Sequence, residues 1–256
     1  MGYTPHHFAY LDGYDRSGIR YLWSDARASE DFAFPIAEAD ALADRLEAAS
    51  LRSILALCTA LFELTVARLE KLHGDPYPGR LLESAWISLA DRCYAHYDEE
   101  ARSEWLGPIR GPLWCGFTWL SQALHFSDDT PSKWQSAIIY LVRLAYHLIP
   151  AHQPLTTWLN GSIERMLQYH PAVVMDPLDD LFGHHAAWRR GPYITGACFD
   201  LTQPYDLAEE HGRMEQLLRH VQWSDNPLLK SPEELSDEGF VGEPYFDLPP
   251  YLSLRP

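Results

Sequence analysis

Apolar residues recur at spacings of three and four over long stretches of this chain, the pattern of helices with one buried face. The longest such stretch runs from Ile36 to Leu72 without an internal Gly or Pro. Leu51, Ile54, Leu55, Cys58, Leu61, Phe62, Leu69 and Leu72 form its apolar stripe. Arg52, Thr59, Glu63 and Glu70 fall together on the opposite face, so the pattern predicts one organising helix whose apolar side partner helices must cover.

Gly74 to Gly79, containing Pro76 and Pro78, should end that helix. A second helix is expected from about Leu81 to Trp105, through Leu82, Trp86, Leu89, Cys93 and Tyr97. Gly107-Pro108 and Gly111-Pro112 predict another break, followed by a short apolar helix carrying Leu113, Trp114, Phe117, Leu120 and Leu124. Thr130-Pro131 is a helix start, with Trp134, Ile138, Leu141, Leu144 and Leu148 giving a regular stripe behind it. A fifth helix is expected from Leu155 to Tyr169, closed by Pro171.

Beyond Pro171 the signals are weaker. Val173 to Phe182 fits a short helix interrupted at Pro177, and Tyr205 to Val221 fits a last helix. Two stretches read as strand: a hairpin over Phe8 to Asp25 turning at Asp15-Arg16-Ser17-Gly18, and a brief run from Tyr193 to Phe199 able to pair with it. The expected fold is mainly α: a single-domain bundle of about six or seven helices joined by short breaks. Its parts are a hairpin and lead-in over 1–35, a helical body over 36–223, and an extended acidic, aromatic arm over 224–256. No repeat of solenoid length is evident.

Composition narrows the function classes. The chain has 256 residues, of which 46% are hydrophobic and 22% charged. That balance belongs to ordinary globular proteins. Its net charge of -16 disfavours nucleic acid and anionic membranes as ligands, and steers cationic partners toward it. Cys58, Cys93, Cys115 and Cys198 are widely spaced and mostly in apolar patterns, which reads as buried free thiols. No signal-peptide pattern opens the sequence and no run reaches the length of a membrane span, so a cytoplasmic location is expected. The positive charges are nearly all arginine, a bias a GC-rich bacterial genome would produce.

Catalytic signatures are absent: there is no G-x-S-x-G, phosphate loop, H-E-x-x-H or dinucleotide fingerprint. His184 and His185, close in sequence to Asp176, Asp179 and Asp180 and followed by Arg189 and Arg190, could supply a divalent metal site or a carboxylate grip for a hydrolase. That spacing matches no ligand motif, and a solvated helix with local ion pairs explains it as well. His6-His7 with Asp12 and Asp15 is a weaker metal set, because adjacent residues on a strand face opposite ways. No cofactor is indicated.

The C-terminal arm is the other distinctive stretch. Twelve acidic residues against four basic ones between Gly191 and Pro256 place -8 of the net charge in about a quarter of the chain. Asp225, Glu233, Glu234, Asp237, Glu238, Glu243 and Asp247 are interspersed with Phe240, Tyr245 and Phe246. Such a mixture of carboxylates and rings suits gripping a basic protein. The alternative is that the arm straps its own domain. In general style the chain resembles bacterial immunity proteins, which block cognate toxins and are often small, acidic and free of catalytic motifs. The resemblance rests on composition and carries over no functional residues. The expected function is therefore non-catalytic neutralisation of a basic partner, with a metal-dependent hydrolase or a helical scaffold subunit as alternatives.

Overall fold

The computed structural model describes residues 18–28, 30, 32, 35–127, 130, 132–149, 152–173 and 190–248. These include eight α-helices and no sheet: α1 (Ile36–Leu46), α2 (Leu51–Leu69), α3 (Tyr77–Ser88), α4 (Gly107–Phe126), α5 (Ser132–Leu148), α6 (His152–Tyr169), α7 (Glu210–His220) and α8 (Pro232–Asp237). Helix α5 packs on α1, α2 and α4, while α2 also touches α3 and α4. Buried side chains from Ala28 to Tyr245 belong to one hydrophobic cluster. Among the described residues no helix is long and apolar enough to cross a membrane.

The expected helix over 36–72 is two helices. Between them Ser50 is extended (φ -66, ψ 148), and this break pairs with the chain after α6. Ser50 N–H donates to His170 O, Ala172 N–H to Ala48 O, and Ala49 bridges Pro171. Tertiary hydrogen bonds here replace helical ones, so no local Gly or Pro is needed. The polar face of α2 is covered as well as the apolar one: Arg52, Thr59 and Glu63 are buried with Arg68. Partners inside the core satisfy them. Trp86 Nε1 donates to Glu63 Oε2 at 3.2 Å, Thr59 Oγ1 to Leu55 O, and Arg52 to Gly191 O. A helix covered all round hides its polar residues along with the apolar ones.

The prolines also act differently from expectation. Helix α3 begins at Tyr77, inside the supposed breaker, with Pro78 in its first turn, where no helical N–H is required. It ends at Ser88, and the chain to Trp105 is irregular apart from short 3₁₀ turns at Arg92–Tyr94 and Arg102–Glu104. Helix α4 starts at Gly107 and runs through Pro112. Pro112 cannot donate to the carbonyl four residues back, and that carbonyl, Pro108 O, accepts from the Tyr21 hydroxyl instead.

Ile19 to Trp23, the expected second arm of the hairpin, forms no strand, and the first arm lies outside the described residues. This stretch lies on the helices. Trp23 covers Gly111, where an added Cβ would sit 2.5 Å from the indole Nε1. Asp25 accepts from Gly107 N at 3.0 Å, capping α4 from far away in sequence. His147 takes Leu22 O as its ring partner at 2.7 Å and lies among the rings of Tyr21, Trp23 and Phe32. Tyr193 to Phe199 is likewise no strand, becoming a 3₁₀ turn at Gly196–Phe199. It is fixed to α6 by Trp158 Nε1 donating to Phe199 O and by Arg165 donating to the carbonyls of Cys198, Asp200 and Gln203. The region expected as a last helix over 205–221 starts with a 3₁₀ turn at Leu207–Glu209 and becomes α7.

Cys58, Cys115 and Cys198 are buried and Cys93 half-buried, all as free thiols. Among the tryptophans of the helices, Trp86, Trp134 and Trp158 are buried. Trp114 is half-buried, with its indole N–H on Glu100 O.

Candidate functional site

The arm over 224–248 begins from a single buried asparagine. Asn226 donates to Arg80 O and Glu83 Oε2, both at 2.8 Å, and its own side-chain carbonyl accepts from Leu228 N. The following residues run beside the irregular segment after α3. His96 N–H donates to Leu228 O, Lys230 N–H to Tyr94 O, and Ala95 bridges Leu229.

Ser231-Pro232-Glu233-Glu234 then nucleates α8. Ser231 accepts from Glu234 N, and the Glu234 side chain returns to Ser231 N. This is a complete capping box with Pro in the first turn. Those hydrogen bonds hold the Glu234 carboxyl below the usual carboxylate range, with help from His96 and Lys230. Gly239 closes the helix with a positive φ, in the left-handed region that favours glycine.

The last anchor is Tyr245. Its ring is buried, 4.9 Å from Tyr94 and 6.3 Å from Trp223. Its hydroxyl donates to Lys230 O at 2.7 Å, and its N–H meets the Tyr94 hydroxyl. Tyr245 also has a positive φ, which no other non-glycine among the described residues shows. For a residue with a Cβ that conformation costs roughly 1–2 kcal/mol. The packing of the ring offsets that cost. Far from being an extended arm, this part of the chain is folded against its own body.

The ten residues nominated from sequence therefore separate by role. Tyr245 is buried, and Phe240 packs half-buried 5.3 Å from Tyr94. Glu234 serves the capping box and faces His96 at 3.6 Å. Glu238 pairs with Lys230 at 2.6 Å, and Asp247 accepts from Glu243 N. Asp225, Glu233, Asp237 and Glu243 are exposed, and their side chains make no hydrogen bond or ion pair among the described residues. Phe246 is 52% exposed and the neighbouring Val241 85%, so apolar surface stands among these carboxylates.

Two further aromatic residues are exposed: Tyr97, expected on the stripe of the second helix, and Phe126, at the end of α4. Each is more than a third exposed, and they meet edge-on at 5.1 Å. Tyr97 follows His96, which reaches Glu234, and its hydroxyl bonds Glu99. His125 packs 5.2 Å from Tyr97, and burial lowers its pKa to about 4, helped by Lys230 and Arg92. The acidic run Asp98-Glu99-Glu100 directly after Tyr97 was the available signal.

Of the alternative metal sets, His184, His185, Asp176, Asp179 and Asp180 are outside the described residues, as are His6, His7, Asp12 and Asp15. Among the described residues no three His, Cys, Asp or Glu side chains converge as a metal site would require. Compared with protein-family models, with curated proteins and with solved structures, the chain has no match.

Proposed function

We infer that this chain is a non-catalytic binding protein that captures and neutralises a basic protein partner, in the manner of a bacterial toxin-immunity protein. The observation that carries the reading is the pairing of unengaged carboxylates with exposed apolar groups on one ordered segment. Asp225, Glu233, Asp237 and Glu243 have no side-chain partner among the described residues to lose on binding, and Phe246 and Val241 stand exposed among them. Aromatic and apolar groups at the centre of an interface supply affinity, while surrounding charge supplies steering and specificity. Because the segment is already held by Tyr245 and Asn226, docking requires little ordering, which favours affinity.

The partner would be cationic and would present Lys or Arg to these carboxylates. The test uses the product of a gene adjacent to this one, purified and titrated against the full chain at rising salt. Saturable 1:1 binding is expected to weaken steeply between about 50 and 500 mM salt, following charge screening. The triple variant Glu233→Gln, Asp237→Asn, Phe246→Ala is expected to weaken it by about 100-fold, given about 1 kcal/mol for each group. Binding unaffected by both salt and the triple variant would refute the reading.

A further inference from the structure

A second feature, separate from the arm, is a cleft of about 460 Å³ where the chain leaving α2 meets the start of α4. That size falls within the roughly 300–1,000 Å³ of small-molecule sites. Leu72, Leu106, Pro108 and Ile109 give it apolar walls, and Trp105 its shelf. Gly74 has nothing within 4 Å of where a Cβ would stand.

Its polar groups are few and differ in what they still offer. Asp75 is engaged on both oxygens: Oδ1 accepts from Tyr77 N at 3.0 Å, and Oδ2 from Arg110 Nη2 at 3.1 Å. Arg110 is only partly used. The guanidinium lies 4.5 Å over the Trp105 ring, and beyond its bond to Asp75 it makes no other hydrogen bond to the described residues. Trp105 is itself fixed, 2% exposed with its indole N–H on Glu100. The planar donor edge of Arg110 is thus held in place before any ligand arrives, the arrangement that suits bidentate carboxylate recognition.

His73 adds a second unmet demand. Both ring nitrogens are buried, and neither makes a well-formed hydrogen bond to the described residues, the Asp75 backbone being the polar group close by. Burial lowers its pKa against the pull of Asp75, so the ring is neutral near pH 7 and can donate one hydrogen bond and accept another. Buried nitrogens without well-formed hydrogen bonds carry a cost that a ligand could lower.

We propose that this cleft binds a small monocarboxylic acid with an apolar or aromatic body, its carboxylate on Arg110 and its body against Leu72, Leu106 and Ile109. A cationic ligand would be placed beside the Arg110 guanidinium, a like charge already paired with Asp75, and a wholly apolar one leaves Arg110 and His73 as they are. The α4 N-terminus adds positive partial charge to the same end of the cleft, and Asp25 already takes part of it.

The experiment titrates the full-length chain with phenylacetate, isosteric phenylacetamide and 2-phenylethylamine, read by calorimetry and by ligand-observed NMR. Phenylacetate is expected to bind saturably at 1:1, at least tenfold more tightly than the amide, with no saturable binding of the amine. Arg110→Gln should weaken phenylacetate at least tenfold and leave the amide unchanged. Arg110→Lys keeps the charge without the planar edge and should fall between, giving a second reading if the glutamine variant folds poorly. Non-saturable phenylacetate binding, equal binding of the amine, or phenylacetate affinity unchanged in both variants would overturn the assignment.

Discussion

Individual residues in this protein carry unusual burdens because the helices bury polar groups as well as apolar ones. His170 is fully buried, with Nε2 on the Tyr205 hydroxyl and Nδ1 without a partner among the described residues. Burial lowers its pKa to about 4, and His125 falls to a similar value. An unfolded histidine titrates near 6.5, so between about 6.5 and 4 the unfolded chain binds protons that the native chain refuses. Their contribution to stability is complete above about 6.5 and is lost as pH falls toward 4. Glu210 works in the opposite direction. Burial raises its carboxyl pKa, so its contribution is complete at low pH and fades as pH rises through that raised value. The midpoint of thermal unfolding is expected to fall between pH 7 and pH 4.5, and His170→Gln should flatten that slope even if it lowers stability at pH 7. Melting curves at four pH values check this; an unchanged slope would count against His170.

At the scale of elements, the start of α4 shows how much of the helix is set from outside it. Its own preceding residue, Leu106, provides no cap, and Gly107 has a positive φ. Asp25 supplies the missing acceptor, held in place by Trp23 Nε1 at 2.8 Å and by Arg102, which donates to the Asp25 backbone carbonyl. Asp25→Ala is expected to cost about 1–2 kcal/mol in urea unfolding, the range of a lost N-cap. An ordinary surface Asp→Ala would change stability by about 0.5 kcal/mol or less. The capping box of α8 is the contrasting case, since all of its chemistry lies within Ser231 to Glu234. That motif was legible in the sequence, and α8 could have been read from it. The cap on α4 could not, because nothing near Gly107 names Asp25 as its partner.

For the whole molecule, the arm is the piece whose attachment can be tested directly. Tyr245 links it to Tyr94, Trp223 and Lys230, and its backbone conformation is tolerated only while the ring is packed. Tyr245→Ala is expected to lower stability by on the order of 3 kcal/mol, as large-to-small core changes do. It should also speed proteolysis selectively between Gly239 and Asp247. Limited digestion followed by mass spectrometry measures this; cleavage spread evenly along the chain would mean that the anchor lies elsewhere. The same variant should weaken capture of a basic partner, because the carboxylates would no longer be presented on a fixed surface.

The hydrophobic pattern by itself determined that the protein is mainly helical, and located α5 and α6 closely, because their stripes follow one period between clear end signals. Tertiary structure decided what local periodicity does not contain: the break at Glu47–Ser50, made by backbone pairing with residues 170–172; the passage of α4 through Pro112, made possible by Tyr21; and the burial of Arg52 and Glu63. The candidate sites divide the same way. The acidity of the arm is a matter of composition, but which carboxylates stay unengaged, and that Arg110 and His73 share one cleft, depend on contacts between distant parts of the chain. A sequence pattern reports the company a residue keeps within a turn or two, whereas partners of buried polar groups are chosen by packing across the whole core.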